Sequence, residues 1–216
     1  GNDSADTARI FVDLAKTENY PLQVFHIPKT IDNDLRGHDH TPGYGSAARF
    51  VAAAMIGDDF DNRSLPGIKV DIIMGRNAGF LTAASALARR HEGDGPHLIY
   101  MPEASISEEQ FLADVDRIYS RQKRCLIAAS EGMTLPDGKT WAAKVMENQE
   151  RDAHGNMQLS GSGALGDALA DLIKRKLTPA GGKPPRVRAD TGGYLQRSFP
   201  GYVSPTDAAE ARLVGT

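Results

Sequence analysis

Short apolar runs alternate with amphipathic stretches along most of this chain. The apolar runs predict five strands, at 22–27, 69–74, 97–101, 124–129 and 186–189. The amphipathic stretches predict five helices, at 4–16, 43–56, 78–91, 107–120 and 162–177. This alternation is typical of an α/β fold with a largely parallel sheet. Ligands of such folds bind outside the carboxyl ends of the strands, so the loops after the strands are where chemistry is expected.

Three stretches depart from this pattern. The polar, glycine-rich stretch 132–161 has a single tryptophan and predicts a long surface insertion with some helix near 140–149. The sequence "GDD" at 57–59 predicts a helix end followed by a solvated turn. His38 and His40 lack a third ligand at zinc spacing, so we interpret them as loop histidines.

Composition narrows the classes of function. The 216 residues are 40% hydrophobic, which is enough for one large domain or two small ones. The net charge of −3 and the lack of a basic run argue against a nucleic-acid or membrane-surface partner. Cys125 is the single cysteine, so a disulfide scaffold is excluded, a reducing cytosol is favoured, and a core position is expected for it. The chain opens on Gly1 rather than methionine, and we expect a fragment.

The loop "PKTIDNDLRG" (28–37) concentrates charge behind a predicted strand. Asp32 and Asp34 are two residues apart, so in an extended segment they point the same way, about 6–7 Å apart. One carboxylate can act as a base toward a hydroxyl while the other places a substrate or a magnesium ion. A solvated turn, with Asx-type hydrogen bonds from Asp32 and Asn33, explains the same residues. The residues alone leave both interpretations open.

Two further loops are candidates for binding phosphate. "GNDS" precedes the first predicted helix, and a helix N-terminus receives phosphate well; an ordinary N-cap at Asp3 or Ser4 is the alternative. In "MGRNAG" (74–79), Arg76 lies at the mouth of the next helix, where it can pair with a phosphoryl group in transfer. A surface arginine beside a glycine turn is the alternative there.

The last two loops carry a carboxylate and three arginines. Glu131 follows the strand 124–129, where it can accept hydrogen bonds from sugar hydroxyls or serve as a helix cap. The segment "RVRADTGGYLQRS" (186–198) places Arg186, Arg188 and Arg197 around a double glycine and Tyr194. It favours an anionic ligand, and scattered salt bridges are the alternative.

Taken together, these loops resemble the phosphofructokinase family. The matching pieces, in family order, are "GNDS", "PKTIDND", "MGRNAG", "PE" at 102–103, "SEG" at 130–132 and "GYLQRS", and the resemblance runs from Gly1 to Thr216. It implies an α/β fold of two Rossmann-like parallel-sheet domains with the active site between them. Residues 1–41 and 197–216 would be parts of the phosphoryl-donor domain, whose N-terminal portion is missing, and 42–196 would be the sugar-phosphate domain.

The resemblance also implies a role for each matching residue. Asp32 would take the proton from the sugar 1-hydroxyl, and Arg76 would balance charge on the phosphoryl group, with Thr30 as the third catalytic residue. The remaining substrate-binding positions would be Asp34, Met74, Gly75, Glu131, Arg188, Tyr194 and Arg197, with Arg188 reaching across a subunit boundary. The donor-binding positions would be Gly1, Asn2, Asp3 and Lys29, and Mg²⁺ would be held by Asp3 and Asp34.

Asp3 and Lys29 bear on the identity of the phosphoryl donor. ATP-using members resemble this chain but carry glycine at the position of Asp3, where a carboxylate would repel the α-phosphate of a nucleotide. Lys29 resembles the lysine that pyrophosphate users place on their donor, although some ATP users also have it. Two departures from the family pattern are Asn2, where many relatives are acidic, and the residues 67–69, where relatives carry an arginine for which Lys69 would be the substitute.

The resemblance therefore implies a reversible phosphotransferase of glycolysis and gluconeogenesis that uses pyrophosphate and fructose 6-phosphate with Mg²⁺. The alternatives are the ATP-dependent enzyme and a non-catalytic subunit of the same fold. Asp32, Asp34, Arg76 and Arg197 are all present, which argues against the non-catalytic subunit. We also expect a cytoplasmic homo-oligomer, a dimer or tetramer, with no nucleic-acid or membrane partner.

Overall fold

The computed structural model describes residues 2–145 and 163–216, with side chains described for 4–144 and 163–216. Four strands form the sheet: β1 (Ile68–Ile73), β2 (Leu98–Tyr100), β3 (Cys125–Ser130) and β4 (Val187–Thr191). Eight helices accompany them in the described residues: α1 (Asn2–Thr17), α2 (Tyr44–Ser64), α3 (Phe80–Ala84), α4 (Glu108–Gln122), α5 (Trp141–Val145), α6 (Ala164–Leu177), α7 (Leu195–Ser198) and α8 (Pro205–Val214). Short 3₁₀ turns follow α3 (Ser85–Ala88) and α7 (Pro200–Tyr202).

The sheet is parallel and its strands lie in the order β2-β3-β1-β4. Every residue of the two central strands, β1 and β3, is buried. Strands that are covered on both faces are expected to be continuous apolar runs, and both sequences fit this except for Lys69 and Asp71 in β1 and Ser130 at the end of β3. The α/β fold with a parallel sheet is confirmed.

Helices cover both faces of the sheet. On one face, Phe111 and Val115 of α4 and Leu169 of α6 pack against Val70 and Ile127, in a cluster that includes further buried residues. On the other face, α2 and α3 pack over a second cluster that contains Val51, Met55 and Leu81. Packing of this kind fixes the ends of the strands, and therefore the loops that follow them. Among the described helices, none is long and apolar enough to cross a membrane.

The strands at 69–74, 97–101, 124–129 and 186–189 are confirmed as β1 to β4, within two residues at each end. The strand predicted at 22–27 is wrong, because that segment forms no ladder to any described strand. Phe25 is 83% exposed and Ile27 is 52% exposed. An apolar run forms a strand only where a partner offers its backbone groups, and none of the described strands lies beside it.

Three other predictions need correction. The "GDD" stretch is not a helix end, because α2 continues to Ser64 and Asp59 is buried within it. The stretch 132–161 is not wholly a surface insertion, because Met133 and Trp141 are fully buried against the first core cluster; residues 146–162 lie outside the described residues. The helix predicted at 78–91 is only α3 and the 3₁₀ turn that follows it.

Candidate active site

The loops that follow β1, β3 and β4 meet at one edge of the sheet. Glu131, directly after β3, accepts a hydrogen bond from the Gly75 amide at 3.4 Å, and its Oε1 lies 3.8 Å from Nε of Arg76. Gln196, after β4, accepts a hydrogen bond from the Met74 amide at 3.1 Å. The parallel sheet therefore brings residues that are far apart in sequence to a single edge, as expected for an α/β fold.

Glycines make this close approach of the loops feasible. Gly75 has φ +119°, and a Cβ there would lie 2.5 Å from the Ala78 carbonyl oxygen. A Cβ on Gly132 would lie 1.9 Å from the Arg76 carbonyl oxygen. The backbone of the loop after β1 therefore passes directly against the loop after β3. Only glycine fits at a contact this short.

The loop after residue 28 is closed on itself. Asn33 adopts the left-handed region at φ 57°, donates to the Asp39 carbonyl and accepts from the Thr41 amide at 2.9 Å. The Thr41 hydroxyl donates to the Thr30 carbonyl at 2.7 Å, and the Thr30 hydroxyl accepts from the Asp32 amide at 3.1 Å. Asn33 is therefore buried and holds the loop closed through residues 39 and 41, rather than forming the solvated turn with local side-chain bonds that was the alternative.

Asp32 lies among charges from three segments of the chain. Its Oδ1 is buried and has no hydrogen-bond partner in the described part of the chain. Burial raises the pKa of Asp32, and the charge of Asp34 adds to the rise; Arg76, Lys29 and Arg197 oppose it without cancelling it. A half-buried carboxylate with a raised pKa and a free oxygen has the properties of a general base.

The remaining predicted residues on this edge are already engaged in part. The side chain of Glu131 is 3% exposed and faces Gly75 and Arg76, while the amides of Met74 and Gly75 are used within the protein. The contact of these groups with a sugar stays a prediction. Arg197 is exposed, with its guanidinium carbon 4.3 Å from the centre of the Tyr194 ring.

Arg188 and Lys69 do not join this group. They lie near the amino ends of β4 and β1, away from the edge at which the loops meet. Nη1 of Arg188 is 2.7 Å from Asp61 of α2, and Nη2 donates to the Leu65 carbonyl. Lys69 is buried, and its ammonium group is paired with carboxylates inside the protein. It therefore cannot reach a ligand from solvent, as a substitute for the expected arginine would have to do. Gly1 lies outside the described residues, as do the side chains of Asn2 and Asp3.

Sequence reasoning missed a carboxylate that supports the site. Asp207 of α8 accepts hydrogen bonds from the Gly43 amide at 2.9 Å and from the amide and hydroxyl of Ser46 at 2.6 and 2.5 Å. It therefore supplies the cap for the start of α2. His40 is not a plain loop histidine, because it lies 3.2 Å from Asp207 and 2.5 Å from Glu210. The Ser-Pro start at 204–205 marks a helix with an acidic residue in its first turn, but it does not identify the segment that this residue caps.

Comparison with known proteins gives this arrangement a family. The sequence profile described as "Phosphofructokinase" matches residues 1–216. The chain belongs to the phosphofructokinase family. It is 54% identical over 215 residues to the pyrophosphate–fructose 6-phosphate 1-phosphotransferase of Rhodospirillum rubrum, covering 100% of this chain and 52% of that protein.

A solved structure within the phosphofructokinase family shares the fold. The pyrophosphate-dependent phosphofructokinase from Marinobacter aquaeolei aligns with a TM-score of 0.74 at 32% identity, covering 100% of this chain and 48% of that one. The ATP-dependent 6-phosphofructokinase of Trypanosoma brucei brucei is more distant, at 27% identity over 217 residues and 41% of that protein. This chain thus spans about half the length of the relatives that it matches.

Proposed function

We propose that this chain is part of a pyrophosphate-dependent phosphofructokinase, which moves a phosphoryl group from pyrophosphate to the 1-hydroxyl of fructose 6-phosphate. The observation that carries the proposal is the free, buried oxygen of Asp32 beside Arg76, Lys29 and Arg197. A base next to several cations suits the deprotonation of a hydroxyl that then attacks an anionic phosphoryl group. The 54% identity to the R. rubrum protein supports the choice of donor and acceptor.

In this proposal Asp32 removes the proton from the sugar hydroxyl, and Arg76 stabilises the charge on the phosphoryl group as it moves. Thr30 helps to fix the loop, since its hydroxyl accepts from the Asp32 amide. Arg197, exposed at the same edge, pairs with the 6-phosphate, and Tyr194 packs beneath its guanidinium group. Met74, Gly75 and Glu131 contact the sugar in this proposal, and their hydrogen bonds within the protein shape the loop around Arg76.

Mg²⁺ fits the carboxylates of this loop. Magnesium in phosphotransferases is bound by one or two carboxylates together with substrate phosphates and water. Asp34 is exposed, and its charge is close enough to Asp32 to raise the pKa of that residue, which supports a metal-binding role for its carboxylate. Asp34, with Asp3, would hold the ion, which neutralises phosphate charge when bound.

A donor assay on the intact protein tests the proposal. With fructose 6-phosphate, we expect turnover with pyrophosphate and little with ATP, and a loss of about 10²–10⁴ in kcat for Asp32→Asn with the sugar KM nearly unchanged. Asp3→Gly should raise ATP turnover by removing a like charge from the path of the α-phosphate. A preference for ATP in the unmutated protein would favour the ATP-dependent alternative instead. A change confined to KM in Asp32→Asn would reduce Asp32 to a binding residue.

We also propose that the protein is a cytoplasmic homo-oligomer in which Arg188 acts on a neighbouring subunit's site. Its position near the amino end of β4, away from Asp32, supports this. Mixing Arg188→Ala subunits with Asp32→Asn subunits should then restore activity, because mixed oligomers contain some sites with both residues intact. No recovery in demonstrably mixed oligomers would place Arg188 outside a shared site. The domain division at residues 41 and 196 belongs to the same proposal.

A further inference from the structure

A second cluster of charged residues lies on the α2 face of the sheet and plays no part in the proposed reaction. Asp71 of β1 and Asp190 of β4 are directly opposite each other in the parallel ladder. Asp58 of α2 comes down onto the same face. One carboxylate oxygen from each of these three residues lies within 4.8 Å of the others.

One internal cation, Lys69, pairs with two of the three carboxylates in this cluster. Nζ of Lys69 lies 2.5 Å from Oδ1 of Asp58 and 2.9 Å from Oδ2 of Asp190. It makes no ion pair with Asp71 among the described contacts. Asp71 is 5% exposed, and both of its carboxylate oxygens are buried without a hydrogen-bond partner in the described residues. A buried carboxylate in that condition requires a further partner.

The net charge of the cluster and the volume of the adjoining cavity both indicate what kind of partner fits. When all are ionised, three carboxylates and one ammonium group carry a net charge of −2, which is the charge that a divalent cation would balance. Burial, and then the charge of Asp58, raise the pKa of Asp71 well above its usual range, a measure of how poorly Lys69 alone compensates it. A cavity of about 120 Å³ adjoins all three carboxylates. That is room for an ion with a few waters, since one water takes about 30 Å³ in the liquid.

We propose that Asp58, Asp71 and Asp190 bind a hard divalent cation in this cavity, beside the ammonium group of Lys69. Oxygen-only ligands favour Mg²⁺, Mn²⁺ or Ca²⁺ over zinc or copper. The ion would join α2, β1 and β4 at one point. Gln196, which holds the Met74 amide, also lines the cavity, so the ion would brace the wall behind the loop that carries Arg76.

Manganese binding to the intact protein tests this site without any substrate. We would count bound Mn²⁺ by electron paramagnetic resonance and follow Tm with and without the ion, at pH 7.5. Asp71→Asn should lose one equivalent of Mn²⁺ and most of the Mn²⁺-dependent rise in Tm. The matched control is Asp171→Asn, an exposed carboxylate on α6, which should keep both.

A second variant protects the test against misfolding. Asp190 is 66% exposed at its side chain, so Asp190→Asn is expected to fold, and it should weaken Mn²⁺ binding by at least about ten-fold. Unchanged Mn²⁺ stoichiometry in Asp71→Asn, or unchanged affinity in Asp190→Asn, would overturn the proposal. So would a wild-type protein whose Tm ignores Mn²⁺ while metal-free Asp71→Asn is more stable, since Asp71 would then share a proton with Asp58. The inference stands apart from the proposed reaction, because no outcome depends on turnover.

Discussion

The cap that Asp207 places on α2 offers a test of how the C-terminal segment supports the site. The cap residue of α2, Gly43, has no side chain, so the amides of Gly43 and Ser46 and the Ser46 hydroxyl all donate to Asp207 instead. Asp207→Ala removes the acceptor for all three. Loss of an N-cap costs about 1 kcal/mol, and hydrogen bonds to a charged acceptor contribute about 1.5–3 kcal/mol each.

The full sum overstates the loss, because water can enter the space that the side chain leaves. We therefore expect the free energy of unfolding to fall by about 2–4 kcal/mol for Asp207→Ala. Asp207→Asn keeps one carbonyl acceptor and loses the charge, so it should cost about half as much. Urea unfolding of the intact protein at pH 7 measures both, and Asp171→Ala, an exposed carboxylate on α6, is the control.

The pH dependence separates the charge of Asp207 from its shape. Burial acts to raise the pKa of Asp207, but the hydrogen bonds from Ser46 and Gly43 and the charge of His40 outweigh it and leave the pKa lowered. A carboxylate with a lowered pKa stabilises the fold above its unfolded value, about 3.9, and loses that contribution as pH falls through its folded pKa. The stability gap between wild type and Asp207→Asn should therefore close below about pH 4. A loss below about 0.5 kcal/mol for Asp207→Ala, or a pH-independent gap, would refute this account of the cap.

Two further predictions concern the site itself. Asp34→Asn removes the like charge that helps to raise the pKa of Asp32, so the acid limb of kcat/KM against pH should move to lower pH; movement to higher pH would contradict the electrostatic assignment. Gly132→Ala should abolish activity or folding, because its Cβ would lie 1.9 Å from the Arg76 carbonyl oxygen. Gly57→Ala, on α2 with nothing within 4 Å, is the matched control and should raise stability by about 0.5–1 kcal/mol.

The sheet was predictable because its strands carry their own evidence of burial. β1 and β3 are short, mostly apolar runs bounded by turns, and they are buried on both faces. The segment 22–27 has the same appearance but no neighbouring strand in the described residues, and periodicity cannot reveal whether a partner exists. The prediction of a surface position for Trp141 failed for the opposite reason. It lies among polar residues, yet its ring packs 5.4 Å from that of Phe111, a contact that no local pattern announces.

The residues of the site also divide into those that the sequence predicted and those that it missed. The convergence of Arg76 and Arg197 was predictable because the segments after strands of a parallel sheet meet at one edge. Asp32 follows no described strand, and it was singled out by the charge of its loop and by the family resemblance. Gln196 and Asp207 were missed because each acts on backbone groups of a distant segment, Met74 and Gly43 respectively. A glutamine or an aspartate in a short helix has no sequence pattern that names such a partner. These roles exist only once the tertiary structure has formed.

The protonation state of Asp32 is likewise a property of the assembled edge rather than of its loop. Within the loop, burial and Asp34 both favour the protonated carboxyl, and only Lys29 opposes them. Arg76 arrives from the end of β1 and Arg197 from α7, and both lower the pKa. Because Gly132 and Gln196 hold the backbone on either side of these arginines, a disturbance of either contact reaches Asp32 through its charge environment. The pKa of Asp32 therefore depends on β1, β3 and α7 keeping their positions around it.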